Sequence, residues 1–207
     1  MSDPSLAKST VFVVDDDQAM RNSLKWLIES VGVAVESFSS ADEFLAQYQP
    51  GRAGCLVLDV RMPGMSGLEL QEHFARNDIH IPIIIITGHG DVPMAVRAMK
   101  AGAIDFIDKP FNDELLLESI RNALAIDQQQ REFQSRRAEI AARLAHLTPR
   151  EHEVMKMVTE GRSNKEIAMD LGVSAKTVEA HRARVMEKME AGSLAELVRM
   201  VMAAGIG

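Results

Sequence analysis

Five polar residues in the first 110 positions of the chain each follow a run of apolar residues. They are Asp15 and Asp16 after VFVV, Asp59 after LVL, Thr87 after IIII, and Lys109 after FID. Short apolar runs of this kind are typical of buried strands. In an open parallel sheet the carboxyl ends of the strands line one edge, where ligands bind. The spacing therefore predicts that three acids, a hydroxyl and a lysine meet at one site.

These residue types suit the transfer of a phosphoryl group onto a carboxylate. Crowded carboxylates repel one another unless a cation neutralises them, and their hard oxygen atoms suit Mg²⁺. One carboxylate can then attack phosphorus as a nucleophile, while the lysine and the hydroxyl bind phosphoryl oxygens. The competing interpretation is that acids at strand ends only cap helices or form turns. We favour that interpretation for Asp17, which precedes a helix.

The elements that must hold these residues alternate between strands and helices. The predicted strands are residues 10–15, 33–38, 55–59, 81–87 and 104–107. Helical periodicity separates them, and Ser40 with Glu43 and Ser66 with Glu69 form capping boxes at two helix starts. Such alternation indicates βαβ units. We predict an α/β domain over residues 1–126, built on a five-stranded, doubly wound parallel sheet of the flavodoxin-like kind.

A long helical stretch follows this domain. Residues 112–147 contain no glycine and no proline and are rich in good helix formers. The part at 112–126 has an apolar face that can dock on the sheet, whereas 127–146 is polar on nearly all sides. A helix that is polar all round often bridges domains. We interpret 127–146 as a helical linker, and the sequence leaves open whether it continues the preceding helix.

The last part of the chain, residues 147–207, is predicted to be an all-α domain. It has no strand candidate and contains four helical segments with strong start signals. Three of these segments begin with a Ser/Thr-x-x-Glu capping box, and Ser174 caps the fourth. The short turn at 171–174 joins two of the helices in the manner of a helix-turn-helix, which we place at 163–190.

The second helix of this motif has a face suited to DNA. Val178, Val185 and Met189 form its inward stripe, and small residues opposite them allow close approach to a major groove. Flanking basic residues suit phosphate contacts. The residues predicted to contact DNA are Lys165, Lys176, Thr177, Glu179, Ala180, Arg182, Ala183 and Arg184. The charge pattern alone fits a solvated amphipathic helix equally well.

Charge and composition limit the class of protein. The net charge is −7. Residues 1–127 carry 10 basic and 19 acidic side chains, and the remainder carries 13 and 11, which hints at an anion-binding surface in the second half. The single cysteine, Cys55, excludes a disulfide framework. Because the chain shows no signal peptide and no apolar stretch of the ~20 residues that span a bilayer, we expect a cytoplasmic protein without a membrane partner.

The motifs VDDD, DVRMPGMSG, TGHGD and DKP resemble, in order and spacing, the receiver domain of two-component response regulators. The resemblance implies that Asp59 is the phosphoacceptor and that Thr87 and Lys109 sense and stabilise the phosphoryl group. It also implies that Phe106 is the switch aromatic and that the Lys109–Pro110 peptide bond is cis.

The same resemblance implies that Mg²⁺ is the cofactor. Asp15 and Asp16 match the acidic pair that holds the ion, together with Asp59 and the backbone carbonyl of Arg61. The chain would then not be an enzyme but a phosphoacceptor that assists its own phosphotransfer and dephosphorylation. A competing class, the aspartyl-phosphate hydrolases, usually carries two acids two residues apart after the first strand, whereas here the acids are adjacent.

The segment from LTPREHEV to VMEKM resembles the DNA-binding domain of the LuxR/NarL class, and GHGDVPMAVRAMKAG together with it resembles the FixJ branch. This implies a FixJ-like transcriptional activator that a sensor histidine kinase phosphorylates on Asp59. Its expected partners are promoter DNA, RNA polymerase and a second copy, paired when phosphorylated through the fourth and fifth receiver helices and the C-terminal helix. An alternative keeps the receiver and makes the last domain a protein-binding module.

Overall fold

The computed structural model describes residues 9–205, in which five strands alternate with helices and further helices follow. The strands are β1 (Thr10–Val14), β2 (Ala34–Phe38), β3 (Gly54–Asp59), β4 (Ile83–Thr87) and β5 (Asp105–Asp108). The helices are α1 (Gln18–Glu29), α2 (Ala41–Gln47), α3 (Gly67–Arg76), α4 (Val92–Lys100), α5 (Asp113–Ala145), α6 (Pro149–Thr159), α7 (Asn164–Leu171), α8 (Ala175–Met189) and α9 (Leu194–Ala203). The ends of the predicted strands differ from these by at most two residues.

The five strands form one parallel sheet in the order β2-β1-β3-β4-β5. The strand order reverses between β1 and β3, which is where ligands bind in open sheets of this type. Strands β1, β3 and β4 are buried almost throughout, because helices cover both faces of the sheet. The predicted five-stranded, doubly wound parallel sheet is confirmed.

Two apolar clusters hold the helices against the two faces of this sheet. On one face Phe44 of α2 packs edge-on against Phe12 and Phe38, with ring centroids 5.8 and 5.1 Å apart. On the other face Leu24 of α1 and Leu116 of α5 pack against alternate side chains of the same strands. With both faces packed, the strand ends that carry Asp15, Asp59 and Thr87 are rigidly placed along one edge.

Helix α5 runs without a break from Asp113 to Ala145, so the last sheet-packing helix and the predicted linker are continuous. The buried carboxylate of Asp127 accepts a hydrogen bond of 2.9 Å from the N–H of Gly54, at the start of β3. Further along, Ile140 and Leu144 pack among side chains of α6, α8 and α9. The two ends of segment 127–146 thus belong to different cores, and the chain divides into compact units between residues 130 and 131.

The second unit consists of the end of α5 together with helices α6 to α9, and no strand follows β5 within residues 9–205. The predicted capping boxes of Thr148 with Glu151 and of Ser163 with Glu166 are confirmed. At the start of α9 the box is incomplete, because Ser193 accepts from the N–H of Glu196 while the Glu196 carboxylate accepts from the N–H of Gly192. Ser174 accepts from the N–H of Thr177. Gly172 ends α7 in the left-handed conformation, with φ of +64°, which glycine adopts without the steric cost of a Cβ atom. This turn joins α7 and α8 as the predicted helix-turn-helix.

Candidate functional site

At the carboxyl ends of β1 and β3, two buried carboxylates face one ammonium group. Asp15 is 1% exposed and Asp59 is 5% exposed. Lys109, which follows β5, places its Nζ 2.6 Å from Asp15 Oδ2 and 2.7 Å from Asp59 Oδ1. The lysine is therefore shared between two acids that lie 94 and 50 residues away in the chain. The structure brings these three predicted site residues into direct contact.

Burial and hydrogen bonding act in opposite directions on the pKa values of Asp59 and Lys109. Burial raises the pKa of Asp59, and the hydrogen bond from Lys109 only partly offsets that effect. Burial would lower the pKa of Lys109, but its hydrogen bonds to Asp15 and Asp59 outweigh burial and leave that pKa raised. Two carboxylates share one ammonium, so the buried site carries excess negative charge. A further cation would relieve that excess.

Asp59 is also held from its own loop. The backbone N–H of Arg61 donates to Asp59 Oδ2 at 2.8 Å, so both carboxylate oxygens have a donor. The first residue of helix α3, Gly67, lies directly against the end of β3. A Cβ atom on Gly67 would lie 2.2 Å from the carbonyl oxygen of Asp59. The N–H of Gly67 donates to the carbonyl of Val60, which ties the helix start to the end of β3.

Asp16, the third predicted acid, has an exposed side chain. Within residues 9–205, no group of three or more His, Cys, Asp or Glu side chains is arranged to hold a metal ion. Asp15, Asp16 and Asp59 thus do not form a closed set of ligands here. Their oxygen atoms and excess negative charge nevertheless fit a hard divalent cation such as Mg²⁺.

Arg21 is a residue of the site that sequence reasoning missed. It is buried on α1, and its Nη1 donates to the backbone carbonyls of Asp15 and Asp16 at 2.7 and 2.9 Å. Its Nη2 donates to Gln18. The Arg21 side chain therefore fixes the backbone of the acidic loop, the segment that carries Asp15 and Asp16. The signal available in the sequence was a basic residue one helical turn after the acidic triplet, at a position that faces inward.

Thr87 ends β4, and Phe106 lies within the neighbouring strand β5, opposite Ile85. Thr87 is buried at the end of β4, where its Oγ1 accepts from the N–H of His89 at 3.3 Å and its carbonyl accepts from the N–H of Lys109 at 2.7 Å. Its hydroxyl hydrogen remains available for a further acceptor. Phe106 is half-buried on β5 and packs against the sheet core. The peptide bond between Lys109 and Pro110 is cis, as expected.

The second unit presents the predicted DNA-contacting residues on α7 and α8. The inward stripe is confirmed, since Val178, Val185 and Met189 are buried. Seven of the eight predicted residues are exposed, namely Lys165, Lys176, Thr177, Glu179, Ala180, Ala183 and Arg184. Arg182 differs, because it is half-buried and its Nη1 donates to Asn164 Oδ1 at 2.6 Å.

None of the helices in the described range is both long enough and apolar enough to cross a bilayer.

The chain matches two known families. Residues 11–121 match the family described as "Response regulator receiver domain", and residues 145–201 match "Bacterial regulatory proteins, luxR family". Receiver domains take phosphoryl groups from histidine kinases and generally bind Mg²⁺, and the LuxR-type domain binds DNA.

Relatives share this arrangement along almost the whole chain. Nodulation protein W of Bradyrhizobium diazoefficiens is 51% identical over 96% of this chain and 88% of its own length. The transcriptional regulatory protein FixJ of Azorhizobium caulinodans is 48% identical over 95% of this chain and 93% of its own. The solved structure of the response regulator StyR has a TM-score of 0.87 and 46% identity, covering 94% of this chain and 98% of StyR. The chain therefore belongs to the FixJ-like response regulators, in which a receiver and a LuxR-type DNA-binding domain form a phosphorylation-activated transcriptional regulator.

Proposed function

We propose that Asp59 is the residue that a sensor histidine kinase phosphorylates. The observation that carries this proposal is the buried Asp59 carboxylate at a strand end, with Lys109 on one oxygen and the Arg61 N–H on the other. A carboxylate oxygen attacks phosphorus as the P–N bond of the kinase's phosphohistidine breaks, and the released imidazole takes up a proton. Because the family consists of regulators, we expect the Asp59 site to act as a phosphoacceptor that assists its own phosphorylation and dephosphorylation.

Lys109 and Thr87 bind the oxygens of the phosphoryl group once it is on Asp59. The Lys109 ammonium already bonds Asp59 Oδ1, and a phosphoryl group on Asp59 offers it more highly charged oxygens. The Thr87 hydroxyl donates its hydrogen to a phosphoryl oxygen, because its accepting role toward the His89 N–H leaves that hydrogen available. Phe106, half-buried on the adjacent strand, follows the displacement of Thr87. Phosphorylation thereby biases an equilibrium between two receiver arrangements.

Asp15, Asp16, Asp59 and the backbone carbonyl of Arg61 would hold the Mg²⁺ ion. When bound, the ion neutralises the negative charge of the acids and of the incoming phosphoryl oxygens. Arg21 supports this role, since it fixes the carbonyls of Asp15 and Asp16 and so limits the movement of the acidic loop.

The exposed face of α8, with Lys165 on α7, is the proposed DNA surface. Ala180 and Ala183 leave room for close approach to a major groove, and Thr177 and Glu179 can meet base edges. Lys165, Lys176 and Arg184 supply positive charge for phosphates. The domain limits that go with this proposal are 1–126 for the receiver, 127–146 for the linker and 147–207 for the DNA-binding domain.

Two apolar surfaces support pairing of phosphorylated copies. On the receiver, Val92, Val96 and Met99 of α4 and Leu115 of α5 are exposed. On the second unit, Leu194 and Met202 of α9 are exposed. Exposed apolar side chains grouped in this way mark interaction sites, and a dimer matches the two-fold sites that helix-turn-helix proteins read. RNA polymerase is the further partner of an activator bound beside a promoter.

The phosphoacceptor is tested by incubating the full chain with acetyl phosphate and Mg²⁺ and measuring its intact mass. We expect one phosphoryl group on the wild-type chain and none on Asp59→Asn. Incorporation by Asp59→Asn at the wild-type level would refute the assignment. Sustained turnover of a phosphate ester would instead favour the aspartyl-phosphate hydrolase class, because a regulator holds its phosphoryl group and does not cycle at ordinary enzyme rates.

A further inference from the structure

Arg182 is the one predicted DNA contact whose guanidinium already has a protein partner. Its Nη1 donates to Asn164 Oδ1 at 2.6 Å, across 18 residues of sequence and between α8 and α7. The side chain is half-buried, whereas the other seven predicted contacts are exposed. Arg184, two residues along the same helix, is exposed, and its guanidinium makes no hydrogen bond or ion pair within residues 9–205. Two arginines of one helix are therefore in different environments.

The contact joins the recognition helix to the first residue of α7. Ile167 of α7 and Val178 of α8 pack in one small apolar cluster, so the two helices share a core in addition to the Arg182–Asn164 bond. The other end of α7 is held as well, since Arg150 Nη2 donates to the carbonyl of Leu171 at 2.6 Å. Helix α7 is thus fixed by an arginine at each end.

The chemistry of the two side chains determines the orientation of this bond. Arginine carries donors and no acceptor, so only the Oδ1 of Asn164 can face it. A hydrogen bond with a charged donor is stronger than one between neutral groups, and leaving a half-buried acceptor without its partner is costly. For Arg182 to turn toward a DNA phosphate, it would have to give up this bond and leave Asn164 Oδ1 without its partner.

We propose that Arg182 is a positioning residue, which acts on DNA binding by holding α7 against α8 through Asn164 and not by contacting a phosphate. This rests on the proposed DNA surface of α8. The angle between the two helices decides how deeply α8 enters a groove while α7 lies at the backbone. Loss of the Arg182–Asn164 bond lowers affinity for DNA without removing a phosphate contact.

The salt dependence of DNA affinity separates a positioning role from a phosphate contact. The dissociation constant of the phosphodonor-treated full chain is measured at several salt concentrations, on a duplex selected by that chain from genomic fragments. Arg184→Met is the matched control. In that variant the slope of log Kd against log salt concentration should be smaller than in the wild type by about 0.9, because one phosphate contact is lost. Arg182→Met should bind more weakly with the wild-type slope. A slope that falls by about 0.9 in Arg182→Met would overturn the proposal.

Two further measurements keep the test decisive. Asn164→Ala should reproduce the affinity loss of Arg182→Met, and the double variant should be no weaker than the weaker single variant; additive losses would contradict the proposal. Hydrogen exchange at the start of α7 should accelerate in Arg182→Met and not in Arg184→Met, with or without DNA. If the wild-type chain binds no duplex, the proposed surface fails, while the exchange rates still decide whether Arg182 holds α7.

Discussion

The ammonium of Lys109 lies 2.7 Å from Asp59 Oδ1, and the same group bonds Asp15. Replacing Lys109 with Met leaves two buried carboxylates without their cation. We expect Lys109→Met to lower the free energy of unfolding by about 3–5 kcal/mol, the cost of removing one partner from a buried ion pair. Added Mg²⁺ should recover more stability in the variant than in the wild type, because the ion no longer competes with an ammonium.

Urea unfolding of both chains, with and without Mg²⁺, checks this expectation. Lys100→Met, at the exposed end of α4, controls for the loss of a lysine elsewhere on the receiver. Equal stabilities of wild type and Lys109→Met, with equal responses to Mg²⁺, would mean that the ammonium does not compensate the two acids.

Gly67 leaves the space that lets α3 begin against the end of β3. A Cβ atom there would lie 2.2 Å from Asp59 O, and a backbone atom cannot move aside as a flexible side chain can. Gly67→Ala should destabilise the receiver by about 1–3 kcal/mol and slow phosphorylation of Asp59. Gly88→Ala is the control for stability, since nothing lies within 4 Å of its added Cβ atom. Similar melting temperatures for the two variants would refute the steric argument.

Arg21 tests whether the acidic loop must be held in place to bind Mg²⁺. Lysine at this position cannot reproduce the guanidinium fork, in which Nη1 reaches the carbonyls of Asp15 and Asp16 while Nη2 holds Gln18. We expect Arg21→Lys to weaken Mg²⁺ binding by roughly 10- to 100-fold, as changes to groups that orient metal ligands do. Titration calorimetry with magnesium chloride measures it. Lys25→Met, exposed on the same helix, should bind Mg²⁺ as the wild type does, and an unaltered affinity in Arg21→Lys would count against the role of Arg21.

An ion pair between the buried Glu151 and the partly exposed Lys188 makes the second unit sensitive to acid. Glu151 Oε2 accepts from Lys188 Nζ at 2.7 Å and from the N–H of Thr148 at 2.8 Å, and these hydrogen bonds lower the pKa of Glu151 to about 2. Since the folded pKa is below the ordinary value of 4.5, the stabilisation is complete above about pH 4.5. It is lost as the pH falls toward about 2.

Glu151→Gln measures this contribution directly. The variant should be less stable than the wild type by about 1–3 kcal/mol at neutral pH, because a charged hydrogen bond is lost. The difference should shrink as the pH falls through that window. Urea unfolding at several pH values checks it, with the exposed Glu187→Gln as control. A difference that stays constant down to pH 2 would show that the charge of Glu151 does not matter.

The strand ends were predictable because the chemistry there is local. An apolar run that stops at Asp15, Asp59 or Thr87 marks both a buried strand and the polar residue at its edge. The parallel sheet then requires those ends to meet. The inward stripe of α8 at Val178 and Val185 was predictable for the same reason, since a helical period needs no distant partner.

The contacts that were missed join residues far apart in the chain. Asp127 looked like the first residue of a polar linker, yet its carboxylate is buried against Gly54, 73 residues away. Arg182 and Arg184 carry the same charge on one helix, and only the position of Asn164 distinguishes them. Periodicity tells which face a side chain is on. It does not tell whether another residue lies within hydrogen-bonding distance of that side chain, because that depends on how separate helices pack.

Phosphorylation of Asp59 should control DNA binding by the second unit. The dissociation constant for one selected duplex, measured with and without acetyl phosphate in the wild type and in Asp59→Asn, decides whether this claim holds. We predict that the phosphodonor tightens binding of the wild type by about 5- to 150-fold, the usual range of coupling between two sites, and leaves Asp59→Asn unchanged. Equal responses of the two chains, or no response of the wild type, would contradict the claim.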